Sequence, residues 1–184
     1  MALAAVGYVG YVVLDRVAYE ARQASRLGEL FRPPAAVVAP VVVTRQRPEH
    51  GELIGRLEIP GAGISVIVAA GTDALTLRRG VGHIDGTALP GEPGNVGLAG
   101  HRDTVFRGLR EVRPADRILL VTADGSFEYE VESLETVTPE RGDVLDPSPH
   151  PTLTLVTCYP FDFIGPAPLR FIVRAREVAR RPSP

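Results

Sequence analysis

From Gly51 onward, glycine and proline interrupt this sequence at short intervals, and the apolar runs between them are short. The chain has 184 residues, of which 19 are glycine and 17 are proline. Both residues destabilise the interior of a helix, so this spacing argues against a coiled coil or a helix bundle. Short apolar runs between turn-forming residues are typical of strands in a β-sandwich or a closed β-barrel.

Seven runs after Gly51 have the composition of β-strands. They are rich in Val, Ile, Leu and Thr and are bounded by Pro, Gly or Asp. The runs are Leu53 to Ile59, Ile64 to Ala70, Asn95 to Gly100, Arg117 to Thr122, Phe127 to Leu134, Thr152 to Cys158 and Leu169 to Arg174. Asp124-Gly125 predicts a hairpin turn, and Thr72 to Arg79 predicts one short helix capped by Thr72 or Asp73. We therefore predict an all-β domain with few short helices.

The N-terminal segment has a different character. Residues Met1 to Leu14 carry no charged side chain, but they are fewer than the ~20 residues that a helix needs to cross a bilayer. We interpret residues 1–30 as a hydrophobic anchor and helix whose upstream residues are missing; an amphipathic or buried helix is the alternative. Three arginines follow the apolar run, and the positive-inside rule would put that flank in the cytoplasm. Residues 31–51 are predicted to form a proline-rich linker, and residues 179–184 a polar tail.

Composition excludes several classes of protein. A single cysteine rules out an intrachain disulfide framework and a multi-cysteine zinc site. The formal net charge of −2 gives no basis for nucleic-acid binding, which usually requires a basic domain. The lone cysteine is therefore either a small core residue or a thiol with a chemical role.

Cys158 ends an apolar strand, immediately before Tyr159-Pro160. Side chains alternate along a strand, so Cys158 points away from the face that carries Leu153 and Leu155. A cysteine at a strand end can be partly exposed, as a nucleophile must be. A buried structural thiol is the alternative from this segment alone.

A cysteine nucleophile needs a base or an electropositive neighbour. Of the four histidines, His101 ends the strand that begins at Asn95, and His83 lies in a glycine-rich loop. An acyl transfer also needs a donor for the developing oxyanion, and Arg170 on the last predicted strand is a candidate. Spacing alone does not separate Arg170 from a solvated arginine such as Arg174.

Three motifs together resemble those of the sortase family. Thr154 to Cys158 has the Thr-Leu-x-Thr-Cys form, Gly94 to Thr104 looks like the histidine segment, and Leu169 to Val173 like the arginine strand. The continuation Thr-Cys-Tyr-Pro-Phe is most similar to class D members. The resemblance extends over roughly residues 52–176 and has the family's order of histidine, cysteine and arginine.

The resemblance implies a closed eight-stranded sortase barrel over residues 52–178 and a cysteine transpeptidase. Cys158 is then the nucleophile, His101 the general acid and base, and Arg170 the group that stabilises oxyanion or substrate. Thr157 and Tyr159 become substrate-binding residues, Tyr159 through its backbone N–H. His83 is not at the family's catalytic position, and we treat it as structural.

The implied reaction cleaves a Leu-Pro-x-Thr-Gly type sorting signal after the threonine and transfers the acyl group to an amine of the cell envelope. The implied partners are surface proteins with that signal and an amine acceptor such as a cell-wall precursor or a pilin. The family also implies a bacterial membrane location, with one N-terminal anchor and an extracytoplasmic catalytic domain. We predict no cofactor, no metal and no nucleic acid. The alternatives are a noncatalytic β-barrel binding module and a hydrolytic cysteine peptidase.

Overall fold

Eight strands in the described part of the chain close into one β-barrel. The computed structural model describes residues 2–30 and 47–183. The strands are β1 (Leu53–Ile59), β2 (Ile64–Ala70), β3 (Val81–His83), β4 (Asn95–Ala99), β5 (Arg117–Thr122), β6 (Gly125–Val137), β7 (Thr152–Tyr159) and β8 (Leu169–Pro182). Their order around the barrel is β1, β2, β3, β4, β7, β8, β6 and β5, and β5 pairs with β1. The predicted closed eight-stranded barrel is confirmed.

The barrel differs from the sequence prediction mainly in one additional strand and in the lengths of β6 and β8. The sequence predicts a loop where β3 lies. Gly82 is required there, because a Cβ would collide with the Gly71 carbonyl. β6 and β8 are longer than predicted, since they pair from Gly125 opposite Pro182 to Val137 opposite Arg170. Residues 179–182, predicted as polar tail, therefore continue β8.

Two local predictions are confirmed. A short helix, α2 (Ala74–Arg79), begins after Asp73, whose side chain accepts hydrogen bonds from the backbone N–H groups of Leu75 and Thr76. This is the usual way in which an N-cap residue satisfies the first turn of a helix. The predicted β5–β6 hairpin also forms, but its two-residue turn is Ala123 and Asp124, and Gly125 is already the first residue of β6, opposite Thr122.

Alternate residues of the strands fill the barrel interior. Fully buried members include Leu57, Leu98, Leu120, Leu153, Leu155 and Val173. A second, smaller apolar cluster lies outside the barrel and contains Val137, Val144 and Ile172, with Leu145 and Val156 packed against it. It attaches the β6–β7 loop (residues 138–151) to the outer face of β7 and β8, so that this loop stands beside the end of β7.

Helix α1 (Ala2–Leu30) packs against β2 and α2. The Glu20 carboxylate accepts a hydrogen bond of 2.9 Å from the Ile67 backbone N–H. Asp15 accepts hydrogen bonds of 3.1 and 3.2 Å from Arg79, and this contact lowers the pKa of Asp15.

Within residues 2–30 and 47–183, no helix combines the length and the apolar character needed to cross a membrane. Most of the predicted linker lies outside the described residues.

Candidate active site

Cys158 and Arg170 lie directly opposite each other on the antiparallel strands β7 and β8. Residues opposed in this way project on the same face, with Cβ atoms ~4.5–5.5 Å apart. Leu155 and Val173 fill the barrel interior, so alternation puts Cys158 and Arg170 on the outer face. The Cys158 thiol is free and half-buried. The predicted nucleophile and the predicted arginine are therefore neighbours.

His101 follows the strand on the other side of β7. β4 runs parallel to β7, with Ala99 opposite Val156. His101 comes two residues after Ala99, and Cys158 comes two residues after Val156, so both lie at the same level of the barrel. The His101 side chain is exposed. Within the described residues, no hydrogen bond joins its ring to the Cys158 thiol.

The backbone before His101 is tied to β7. The Gly100 N–H donates to the Val156 carbonyl at 3.2 Å, and the Thr157 hydroxyl donates to the Gly100 carbonyl at 2.7 Å. A Cβ on Gly100 would lie 2.7 Å from the Phe106 ring, so glycine permits this turn to pack closely. Thr157 is only 2% exposed. These contacts support a positioning role for Thr157 rather than the substrate contact expected from the sequence.

We expect Thr157→Val to lower both stability and peptide cleavage. The substitution keeps the shape of the side chain but leaves the buried Gly100 carbonyl without its donor, which costs about 1–3 kcal/mol. Thr152→Val is the matched control, because it removes a similar bond of 2.9 Å to the His150 carbonyl at the far end of β7. Urea denaturation and initial rates measure the two effects. Equal losses of activity in both variants would contradict the positioning role.

The Arg170 guanidinium is held by the backbone at the start of β8. Its Nη1 donates to the carbonyls of Ala167 at 3.2 Å and Leu169 at 2.9 Å. Its Nε and Nη2 have no partner among the described residues. Arg170 also contributes, as the smallest influence, to the lowered pKa of Glu140, whose main cause is a hydrogen bond with Thr138. The two bonds from Nη1 thus orient the guanidinium, and the N–H groups on Nε and Nη2 stay available to donate to a substrate.

Tyr159 belongs to an aromatic cluster at the mouth of the barrel. Its ring centroid lies 5.9 Å from that of Phe161 and 6.1 Å from that of Phe171. The Phe161 and Phe171 rings are 5.3 Å apart. These contacts occupy the aromatic ring, and Tyr159 pairs with Leu169 at the end of the β7–β8 ladder. An interaction of its backbone N–H with substrate stays a prediction.

The β6–β7 loop is anchored beside the site by buried polar contacts. Asn95 donates from Nδ2 to the Val144 carbonyl at 3.1 Å and to the Asp146 carbonyl at 3.2 Å. Its Oδ1 accepts a bond of 2.7 Å from the Thr154 hydroxyl. Asp143 of this loop pairs with Arg141 at 2.6 Å. In the described chain, no group of three or more His, Cys, Asp and Glu side chains has the arrangement of a metal site.

His83 lies in a buried position that suits its structural assignment. It is 3% exposed, and its Nε2 lies 2.8 Å from the Ala88 carbonyl and 3.1 Å from the Thr87 hydroxyl. A carbonyl can only accept, so Nε2 carries a proton. Burial lowers the pKa of His83, which favours the neutral ring.

Two arginines near the site were not indicated by sequence reasoning. Arg102 donates from Nη2 to the carbonyls of Phe163 at 2.6 Å and Gly165 at 3.0 Å. Arg110 pairs with Asp162 at 3.1 Å. Both hold the β7–β8 loop (residues 160–168). The only sequence signal for Arg102 is that it follows His101, because its partners are 61 and 63 residues away.

The chain is similar to known proteins of one family. The Sortase domain model matches residues 57–178. Sortase D of Bacillus subtilis is 38% identical over 133 residues, which cover 72% of this chain and 67% of the relative. Sortase SrtE1 of Streptomyces coelicolor is 38% identical over 153 residues, which cover 73% of this chain and 43% of the relative.

Solved structures give the same result. A Sortase D5 transpeptidase of Clostridium perfringens superposes with a TM-score of 0.75 at 28% identity, covering 88% of this chain and 99% of that one. Sortase E1 of Streptomyces coelicolor, solved with a tripeptide in its active site, has a TM-score of 0.65 at 33% identity, covering 74% and 94%.

The chain therefore belongs to the sortase family. Sortases are cysteine transpeptidases, and the relatives to which this chain is similar include class D members. The family assignment removes the noncatalytic binding module as the leading alternative.

Proposed function

We propose that this sortase cleaves a Leu-Pro-x-Thr-Gly type signal after the threonine and transfers the acyl group to an amine of the cell envelope. The observation that carries the proposal is the opposed pair of Cys158 and Arg170, with His101 on the neighbouring strand end. A tripeptide occupies the active site of the Streptomyces coelicolor relative, which supports a peptide substrate.

In the first half-reaction, the Cys158 thiolate attacks the carbonyl carbon of the threonine, and the carbonyl oxygen becomes an oxyanion. Arg170 and the Tyr159 N–H are the proposed donors to that oxygen. His101 then gives a proton to the departing glycine nitrogen as the C–N bond breaks. The product is a thioester between Cys158 and the threonine carbonyl.

In the second half-reaction, an amine attacks the thioester, and neutral His101 removes the extra proton from the incoming nitrogen. The carbon–sulfur bond breaks, and Cys158 leaves as a thiolate. Splitting the transfer into two steps is the advantage of covalent catalysis. The outer face of β7 and β8, beside the anchored β6–β7 loop, is the proposed floor of the peptide groove.

The decisive experiment is intact mass spectrometry of the protein mixed with a Leu-Pro-x-Thr-Gly peptide. We expect an acyl adduct on Cys158 after acid quenching, and an amide product when a peptide amine is added. A scrambled peptide is the control. Release of free acid at the same rate with and without the amine would instead indicate a hydrolytic peptidase. No adduct and no cleavage across a varied panel would overturn the proposal.

We expect Arg170→Ala to lower the rate of peptide cleavage by ~10²–10³, the usual effect of losing one oxyanion donor. Arg170→Lys retains the charge but not the fork of donors, so it should recover only part of the rate. Arg174→Ala is the matched control on the same face of β8. Initial rates with saturating peptide measure the effect. An Arg170→Ala variant as active as the control would exclude this role.

We also propose that the enzyme acts at the bacterial cell membrane, with an N-terminal anchor and an extracytoplasmic barrel. Family membership and the uncharged run from Met1 to Leu14 support this location, whereas the arginines that follow the run have the opposite sense under the positive-inside rule. The proposed partners are surface proteins with a C-terminal sorting signal, together with a cell-wall precursor or a pilin as acceptor. Membrane fractionation, followed by protease treatment of intact cells, tests the location and the orientation.

A further inference from the structure

Arg102 connects the histidine segment to the loop between the cysteine and the arginine. Its Nη2 donates to the carbonyls of Phe163 at 2.6 Å and Gly165 at 3.0 Å. Its guanidinium carbon lies 5.9 Å from the centroid of the Phe163 ring. Hydrogen bonds from a charged donor are stronger than those between neutral groups. One side chain thus spans the gap between His101 and the tip of the β7–β8 loop.

Within the described residues, the other arginine contacts of the β7–β8 loop lie at its two ends. The Arg110 contacts to Asp162 and to the Phe161 ring hold the beginning of the loop. Arg170 holds its end through the Ala167 carbonyl. Arg102 is the side chain that reaches the middle, where Ile164 is 97% exposed.

The Arg102 contact also has an unfavourable component. Its Nη1 is buried and has no hydrogen-bond partner in the described chain. A buried donor without a partner opposes the closed arrangement, whereas the two bonds of Nη2 favour it. Opening the loop would expose Nη1 to water and offset part of what is lost.

We propose that Arg102 is a positioning residue that holds the His101 segment and the β7–β8 loop together across the site. His101 has no partner in the described residues that fixes its ring, so the placement of its backbone decides where the imidazole stands relative to Cys158. Thr157 fixes that backbone from β7, and Arg102 fixes it from the loop. This inference rests on the proposed roles of His101 and Cys158.

The first test measures the loop directly. The chain contains no tryptophan, so Phe163→Trp introduces a single tryptophan at the loop tip, whose fluorescence can be excited selectively over that of the five tyrosines. In that background, Arg102→Met keeps the apolar stem and removes the donors. We expect acrylamide quenching to increase by about 2-fold or more as the loop opens, and Arg102→Lys to restore part of the protection. Arg113→Met, at an exposed arginine in the turn before β5, is the control. Unchanged quenching in Arg102→Met would overturn the proposal.

The second test measures whether Arg102 acts through His101. Cys158 is the only thiol, so the rate of iodoacetamide alkylation reports its reactivity without any peptide. We expect Arg102→Met to lower that rate at neutral pH by at least about 3-fold, a usual size of coupling between interacting groups. In the His101→Ala background the same substitution should change little.

Equal effects of Arg102→Met in both backgrounds would overturn the role through His101. Thermal denaturation checks that each variant is folded, and Arg102→Lys serves if the methionine variant is not. Both measurements are independent of peptide turnover. A failure of the sorting-signal peptides would therefore count against the proposed function, whereas the quenching and alkylation results would still decide the role of Arg102.

Discussion

Replacing Cys158 with alanine is expected to abolish both cleavage and transfer of a sorting-signal peptide. The proposed reaction passes through a thioester on this residue, and the chain has no second cysteine that could form it. The remaining oxyanion donors would bind the substrate without a nucleophile to attack it. Chromatographic assay of cleaved peptide, with a detection limit well below the native rate, is the measurement.

The same variant should remain folded, because Cys158 is half-buried on the outer face of the barrel and lies outside the interior core. Its melting temperature should stay close to that of the native protein. Iodoacetamide should add one carboxamidomethyl group to the native protein and none to the variant. Cleavage by purified Cys158→Ala at a rate near the native one would rule out the covalent mechanism.

The sequence predicted the barrel well wherever apolar residues alternate over a full strand. It did not predict β3, because a strand of three residues with a central glycine is too short to show the alternation of apolar and polar residues. That strand forms through its pairing with β2 and β4. The C-terminal half of β8 was also missed, since its arginines resemble a solvated tail. There the long partner β6 satisfies the backbone, and tertiary pairing outweighs the local composition.

For the site, the sequence indicated which residues have suitable chemistry but not how close they stand. Cys158 and Arg170 are opposed because of the register between β7 and β8, and register depends on the whole pair of strands and their connection. The position of His101 along the barrel axis depends in the same way on the parallel pairing of β4 with β7. Neither can be read from one strand alone.

The assignment of Thr157 illustrates the same limit. Its position beside Cys158 suggests a substrate contact, whereas alternation alone directs its side chain to the barrel interior. Only the structure identifies the Gly100 carbonyl as the acceptor of its hydroxyl. Local sequence patterns likewise cannot predict the hydrogen bonds of Arg102, because the acceptors lie more than 60 residues away in the sequence.

Replacing His101 with alanine is expected to lower the rate of transpeptidation by ~10²–10⁴, the usual contribution of a general acid–base residue. The glycine amine is a poor leaving group without a proton, and the incoming amine must lose one. Both half-reactions should therefore slow. Rates of acyl-adduct formation and of amide formation, measured separately by mass spectrometry, test each half.

His150→Ala is the matched control for His101→Ala, because His150 is an exposed histidine in the loop before β7 and its ring makes no hydrogen bond or ion pair within the described residues. It should retain close to native activity. His101 is itself exposed, so free imidazole can reach the space left by its side chain and should restore part of the lost rate. A His101→Ala variant within about a factor of three of the control would mean that another group moves the proton, since such a small loss is far below the usual acid–base effect.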